Sequence, residues 1–334
     1  MSVKTLFAGL FRRSDKCNAI RHHSPKWWMT RTLIHPTNLS VIWFLALFLL
    51  SSPVCHAHGV HSKNTLDKIA ETKTITLGYQ DDAFPFSYIE GQRPTGYSID
   101  ICNKLVDAIK VKLKLKDLKV RWIKSSTASQ FVLIKNHATD IMCIPGFYSE
   151  LRHQKAEFSF PFFFSSTRFI TRKNNHTDTI DDLAGHSVLV KSGTIYVEQI
   201  HTINRTNDLN LNIELDNNNK GAFQELQSGE LPALISSTAI LKGMIAMSPT
   251  PDEFEISDQT LSPPIPAGLL LPLDDSEFKN FLDNTLKTLI TGKDFQKLYQ
   301  RWFQSPIPPN AINLNIPMSA ELKKLTTSTT LYAY

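Results

Sequence analysis

The chain has 334 residues, 42% hydrophobic and 20% charged, which is ample material for one large or two ordinary globular domains and excludes a disordered chain. Its formal charge is +5, but the first 57 residues hold Lys4, Arg12, Arg13, Lys16, Arg21, Lys26 and Arg31 against Asp15 alone. Taking these seven bases and one acid from totals of 36 and 31 leaves 29 and 30, so the high pI belongs to the leader and gives no argument for nucleic acid.

The leader "LSVIWFLALFLLSSPVCHAHG" has a short apolar run after an Arg-bearing flank, then Pro53 and small residues. This is the order of a secretory signal, and the run is short for a bilayer span. Cleavage is expected after Ala57, with Met29 as a possible true start. Two alternatives are an uncleaved anchor and a lipoprotein acylated at Cys55, the latter opposed by Val54, where a small residue is expected. The mature chain then keeps two cysteines, Cys102 and Cys143. An oxidising compartment permits one disulfide between them. Two buried thiols are the alternative and the favoured expectation. No CxxC and no His/Cys cluster has metal-ligand spacing, so no metal or cofactor is expected.

Downstream, "TLDKIAETK" reads as a short helix and "TITLGY" as a strand. The stretch "DDAFPFSYIEGQRPTGYSID" is a loop and hairpin punctuated by Pro85 and Gly91. "IDICNKLVDAIKVKL" places Ile101, Leu105 and Ile109 at helical spacing. "LKVRWIK" is a strand, "TASQFVLIKN" a helix and "TDIMCI" a strand that empties into a Pro-Gly loop, "PGFYSELR". A second α/β run follows: a short helix in "TIDDLAG", a strand in "HSVLVK", a helix after "SGT", a strand "LNIELD", a helix "KGAFQELQSG", a strand "LPALISS" and a helix "TAILKGMIAM". "FEISDQTLSPPIPAGLLLPL" returns as extended chain. A long helical region is broken at Gly292, and the tail "QSPIPPNAINLNIP" is extended. Alternating strands and helices argue for parallel α/β sheets, whose ligands sit outside the carboxyl ends of strands. These ends are the loops after Tyr79, Lys124, Ile144, Lys191 and Ile235.

Six landmarks in order resemble one family. They are "TLDKIAETKTITLGY", "FPFSY" with "GYSIDICNKLVDAI", "SELRHQKAEFSFPFF", "IDDLAGHSVLVKSGT", "ITGKDFQKLYQRWF" and "SPIPPNAINLNIPMSAELKKL". The chain thereby resembles the periplasmic solute-binding proteins of polar amino-acid ABC transporters (family 3 type), closest to the glutamate/aspartate-binding branch, over about residues 65–325. The resemblance implies an α/β, two-lobed periplasmic-binding-protein fold (type II), each lobe a mixed sheet flanked by helices, with two hinge strands. It implies lobe 1 at 65–167 and 266–326, lobe 2 at 168–265, a linker at 58–64 and a tail at 327–334. It further implies a periplasmic monomer that closes over a small-molecule ligand, an amino acid or analogue, and presents it to a membrane ABC permease without a catalytic step.

The resemblance also locates a ligand clamp, and the clamp diverges. The family's Arg in the helix after the second strand falls at Gln130, and its Ser and Thr after "TDIMC" fall at Pro145 and Phe147. The Asp at the end of "LPALISS" falls at Ser237, an Arg of the first loop at Gln80, and a His before "GAFQELQSG" at Asn219. The charged groups of the clamp are thus expected to be neutral, and tight glutamate or aspartate binding is not expected. Ser192, Gly193 and Thr194 open a helix, where free N–H groups favour an anion. Asp82 and Phe84 on the first loop and Thr127 near the second complete the candidate set, while Arg152 is expected to support the loop beneath the cleft. A binding-fold sensor with an altered site is the alternative function. An enzyme on the same fold is not expected, because the clamp positions carry no charge.

Overall fold

Asn64 caps helix α1, Thr65–Thr72: its Oδ1 accepts from the Asp67 amide at 2.8 Å. The computed structural model describes residues 64–328. The expected signal peptide, Met29 and nearly all of the 58–64 linker and 327–334 tail lie outside the described residues. Strand β1 is Thr74–Tyr79. The expected hairpin region forms a small sheet of β2, Asp82–Ala83, β3, Ser87–Glu90, and β4, Arg93–Thr95. Gly96 then takes φ +134°, and a Cβ there would lie 2.2 Å from the Phe86 carbonyl oxygen, so only glycine fits the turn.

Helix α2, Tyr97–Leu113, follows from the spacing of its apolar residues: Tyr97, Ile101, Leu105 and Ile109 share the buried face. Strand β5 is Lys119–Lys124, helix α3 is Gln130–Lys135 and strand β6 is Ile141–Phe147. A one-turn helix α4, Glu150–His153, precedes β7, Glu157–Phe158, and β8, Phe163–Ser165. The second run contains β9, Thr167–Arg172, β10, Ser187–Lys191, α5, Ile195–Thr206, β11, Asn212–Asp216, α6, Asn219–Ser228, β12, Ala233–Ser237, α7, Thr238–Ala246, and β13, Phe254–Ile256. The chain ends with β14, Ile265–Leu271, α8, Ser276–Thr291, α9, Lys293–Phe303, and α10, Ala320–Thr327.

Two mixed sheets result. The first runs β5-β1-β6-β14-β7, with β8 also on β14; the second runs β11-β10-β12-β9-β13. In each, three neighbouring strands are parallel and the returning strands are antiparallel. Aromatic side chains close the core of the first. Phe86, Tyr97, Phe163 and Phe303 meet ring to ring, and Trp302, 1% exposed, donates its indole N–H to Asp100 at 2.8 Å. This anchors α9 to the start of α2.

The expected Pro-Gly loop after "TDIMCI" is instead strand. β6 continues through Pro145 and Gly146 to Phe147, paired with β14 at Gly146↔Gly268 and Phe147↔Ala267. Proline is tolerated because β1 pairs with β6 only at Ile141 and Met142, so one side of the strand carries no ladder at Pro145. Gly146 is required, since a Cβ would sit 2.7 Å from Leu270 Cδ2 and 2.9 Å from the Gly268 oxygen. The cysteine expectation is also corrected. Cys102 on α2 and Cys143 in β6 form a disulfide, with Cα atoms 6.0 Å apart. The helix docks its cysteine-bearing face on that strand, and both residues are fully buried.

Helix α10 has no counterpart among the expected elements. Its eight residues carry too few apolar positions to show a period, yet the Ser319 hydroxyl accepts from the Leu322 amide at 3.2 Å and fixes its start. Ser319→Ala is expected to cost about 1 kcal/mol, read as earlier hydrogen exchange of the helix amides with the rest of the chain unchanged.

The chain passes between the sheets twice. β8 leads through Ser166 into β9, and β13 returns through residues 257–264 to β14. The two passages are joined: the Leu261 amide donates to the Thr167 carbonyl at 2.8 Å, and the Thr167 amide donates to Ser262 Oγ at 3.0 Å.

Candidate functional site

The strand ends that should carry ligand groups face one another across a cleft. From the first sheet come Gln80 after β1, Thr127 and Gln130 at the start of α3, and Pro145 and Phe147 of β6. From the second come Thr194 before α5 and Asn219 at the start of α6. Seven of the twelve sequence-derived candidates therefore share one wall-to-wall space. Phe84 and Asp82 line a neighbouring groove instead. Gly193 offers its carbonyl to Arg152, and the Ser192 hydroxyl turns away to Asn217 at 3.0 Å. Ser237 caps α7 and hydrogen-bonds the Tyr196 hydroxyl.

Four residues the sequence reading did not place at the site stand out. Arg152 lines the cleft rather than only supporting a loop. Its Nη1 donates to the Gly193 carbonyl across the gap at 3.3 Å, its guanidinium stacks 5.1 Å from the Phe131 ring, and its Nε is buried without a hydrogen-bond partner. Among the described residues no carboxylate pairs with it. The side chain as a whole is half-buried, with its Nε enclosed. Burial brings its pKa down to about 10, so the group is still a cation at neutral pH. The expectation of a wholly neutral clamp is thus corrected. The residue sits in α4, five positions beyond the end of β6.

Lys191, at the end of β10, is the second cation and is 6% exposed. It is already neutralised: its Nζ lies 2.7 Å from Asp82 Oδ2. The same carboxylate oxygen accepts from the Asn219 amide at 2.9 Å, and the Asp82 carbonyl accepts from Asn219 Nδ2 at 2.8 Å. Asp82 of β2 is therefore clasped by both β10 and α6. Tyr196 and Ser236 complete the polar lining. Burial pushes the Tyr196 hydroxyl up to about 12, which keeps it neutral, and its ring stands 6.1 Å from Phe147.

Gln130 is 1% exposed. Its Nε2 donates to the Thr127 carbonyl at 2.9 Å, which leaves Oε1 buried and unpartnered. The arrangement leaves one guanidinium N–H, Arg152 Nε, and one amide oxygen, Gln130 Oε1, without partners on two residues that line the cleft. A buried polar group without a partner costs free energy, so these atoms are suited to a ligand that completes them.

The profile of the bacterial extracellular solute-binding proteins, family 3, matches residues 75–305. The L-glutamate/L-aspartate-binding protein of Pseudomonas aeruginosa is 35% identical over 299 residues, 89% of this chain and 97% of that one. The glutamate/aspartate import solute-binding protein of Escherichia coli is 32% identical over 263 residues, 78% and 87% of the two chains. Among solved structures, the cysteine-binding protein from Campylobacter jejuni aligns with a TM-score of 0.62 at 22% identity, over 72% of this chain and 92% of that one. The ancestral amino acid-binding protein that is a precursor of cyclohexadienyl dehydratase aligns at 0.61 and 22%, over 72% and 99%. The last two similarities bear on the fold alone.

Proposed function

Because the chain belongs to the bacterial extracellular solute-binding proteins of family 3, we propose that it is the periplasmic substrate-binding component of an ABC importer for an amino acid or a related small polar solute. The lobes are 65–167 with 266–326, and 168–265. The solute is enclosed between them and handed as a monomer's cargo to a membrane permease, with no chemical step. The observation that carries this reading is Arg152. A cation with a buried, unpartnered Nε in an interlobe cleft is suited to a carboxylate, which accepts charge-assisted hydrogen bonds in a fork. The names of the glutamate/aspartate relatives support a carboxylate-bearing solute without fixing which one.

A second reading, a sensor on the same fold, draws on the neutral residues Gln80, Gln130 and Asn219 in the cleft. Small-angle scattering and calorimetry on the mature chain test the first reading against a panel of amino acids and organic acids. Binding is expected to compact the protein and raise its melting temperature by mass action. Arg152→Met is expected to weaken the bound solute roughly tenfold to a hundredfold, the equivalent of about 1.5–3 kcal/mol for a hydrogen bond to a charged group. Equal affinity in the variant, or no solute that binds the parent, counts against the reading.

A further inference from the structure

The cleft contains a charge balance that narrows the ligand. Arg152 is one cation without a carboxylate partner among the described residues. Lys191 and Asp82 cancel at 2.7 Å. Among the residues lining the cleft there is no Asp or Glu. An ammonium entering this space would leave water to meet a guanidinium and a neutral lining, and a buried charge without a counter-charge is strongly disfavoured. A carboxylate has the opposite fortune, since Arg152 Nε is an unmade donor.

The second orphan atom adds a requirement. Gln130 Oε1 is an acceptor, buried and unpartnered, on a side chain 1% exposed whose amide nitrogen is committed to Thr127. It is completed by a donor, and a neutral hydroxyl or amide N–H supplies one without a second charge. Ile144, Phe147 and Ile240 on the same lining present an apolar wall. We infer that the ligand is a small monocarboxylate that carries a neutral hydrogen-bond donor and no ammonium, a 2-hydroxy acid being the simplest case. This rests on the reading of the cleft as a solute site.

Matched triplets test it on the mature chain at pH 7 by titration calorimetry: lactate, alanine and pyruvate; 2-hydroxyisocaproate, leucine and 2-oxoisocaproate; phenyllactate, phenylalanine and phenylpyruvate. In the triplet that fits best, the hydroxy acid is expected to bind at least tenfold tighter than the amino acid. It is also expected to bind tighter than the 2-oxo acid, which lacks the donor for Gln130. An amino acid that binds as tightly as its hydroxy analogue, or tighter, overturns the inference and leaves the solute-binding reading standing. No heat and no melting shift with any of the nine compounds or the twenty amino acids overturns both. Gln130→Glu puts a carboxylate at the orphan acceptor with almost no change of shape. It is expected to shift the preference at least tenfold toward the amino acid and to lower the melting temperature, because an oxygen then faces the Thr127 carbonyl that Nε2 bonded. A well-folded Gln130→Glu variant whose preference does not move also overturns the inference.

Discussion

Replacing both cysteines, as Cys102→Ala with Cys143→Ala, is expected to cost about 4 kcal/mol of stability, the chain-entropy value for releasing a loop of roughly forty residues. The bond spans 41 positions in sequence and joins α2 to β6 at the centre of the first sheet. Alanine is the better replacement because both sites are fully buried and a serine hydroxyl would add an unsatisfied polar group. For a chain of this size the loss corresponds to roughly 10 °C in melting temperature. Urea unfolding of the parent with and without a thiol reductant provides the control. Reductant is expected to move the parent to the midpoint of the double variant and to leave the variant where it is. A reduced parent that unfolds where the oxidised parent does would sink the prediction.

The second large effect is expected at Asp82. Asp82→Ala removes the carboxylate that neutralises Lys191 and accepts from the Asn219 amide. Leaving the partner of a buried pair alone typically costs about 3–5 kcal/mol. Here the strain has an exit that does not require unfolding. Asp82 stands on β2 and Lys191 on β10, so separating the two lobes returns the ammonium to water. The cost should therefore fall on the closed arrangement, seen as a larger radius of gyration in scattering, with a much smaller drop in unfolding midpoint. Adding Lys191→Met in the double variant removes the stranded charge, and compactness is expected to recover, since a buried pair replaced by apolar groups is often neutral or better. If Asp82→Ala lowers the unfolding midpoint without expanding the protein, the pair supports the fold rather than closure.

Much of the fold is legible because its signals are local. Ile101, Leu105 and Ile109 recur at the spacing of one helix face, "TITLGY" alternates, and "SVLVK" lies between Gly185-His186 and Ser192-Gly193. What the sequence hides depends on pairing across long separations. Pro145-Gly146 reads as a turn in isolation, and becomes strand only because β14, more than a hundred residues later, brings Gly268 against Gly146. The disulfide has the same origin. Two cysteines permit a bond, but only the docking of one face of α2 on β6 makes it. At the site, Gln80, Thr127, Gln130, Pro145, Phe147, Thr194 and Asn219 converge as the motif spacing implies, whereas the clasp of Lys191 and Asn219 on Asp82 joins positions more than a hundred residues apart. No local pattern announces it. An exposed loop aspartate and a lysine at a strand end are each ordinary until the two sheets are in place.

The paired passages between the sheets have a mechanical consequence. β14 lies against β8 on one side of the crossing, with Ile265 opposite Ser165, and β13 lies against β9 on the other, with Ile256 opposite Ile170. Thr167 bonds to Leu261 and Ser262 in between. Two separate tethers would let the halves twist and slide independently. A laced ribbon resists both and bends most easily across its flat face, as hinge-type closures require. Movement of one half against the other is thereby reduced to about one soft coordinate. A swing of this kind would bring Arg152 to Gly193 and Asp82 to Lys191 in the same register, with little orientational entropy lost at capture.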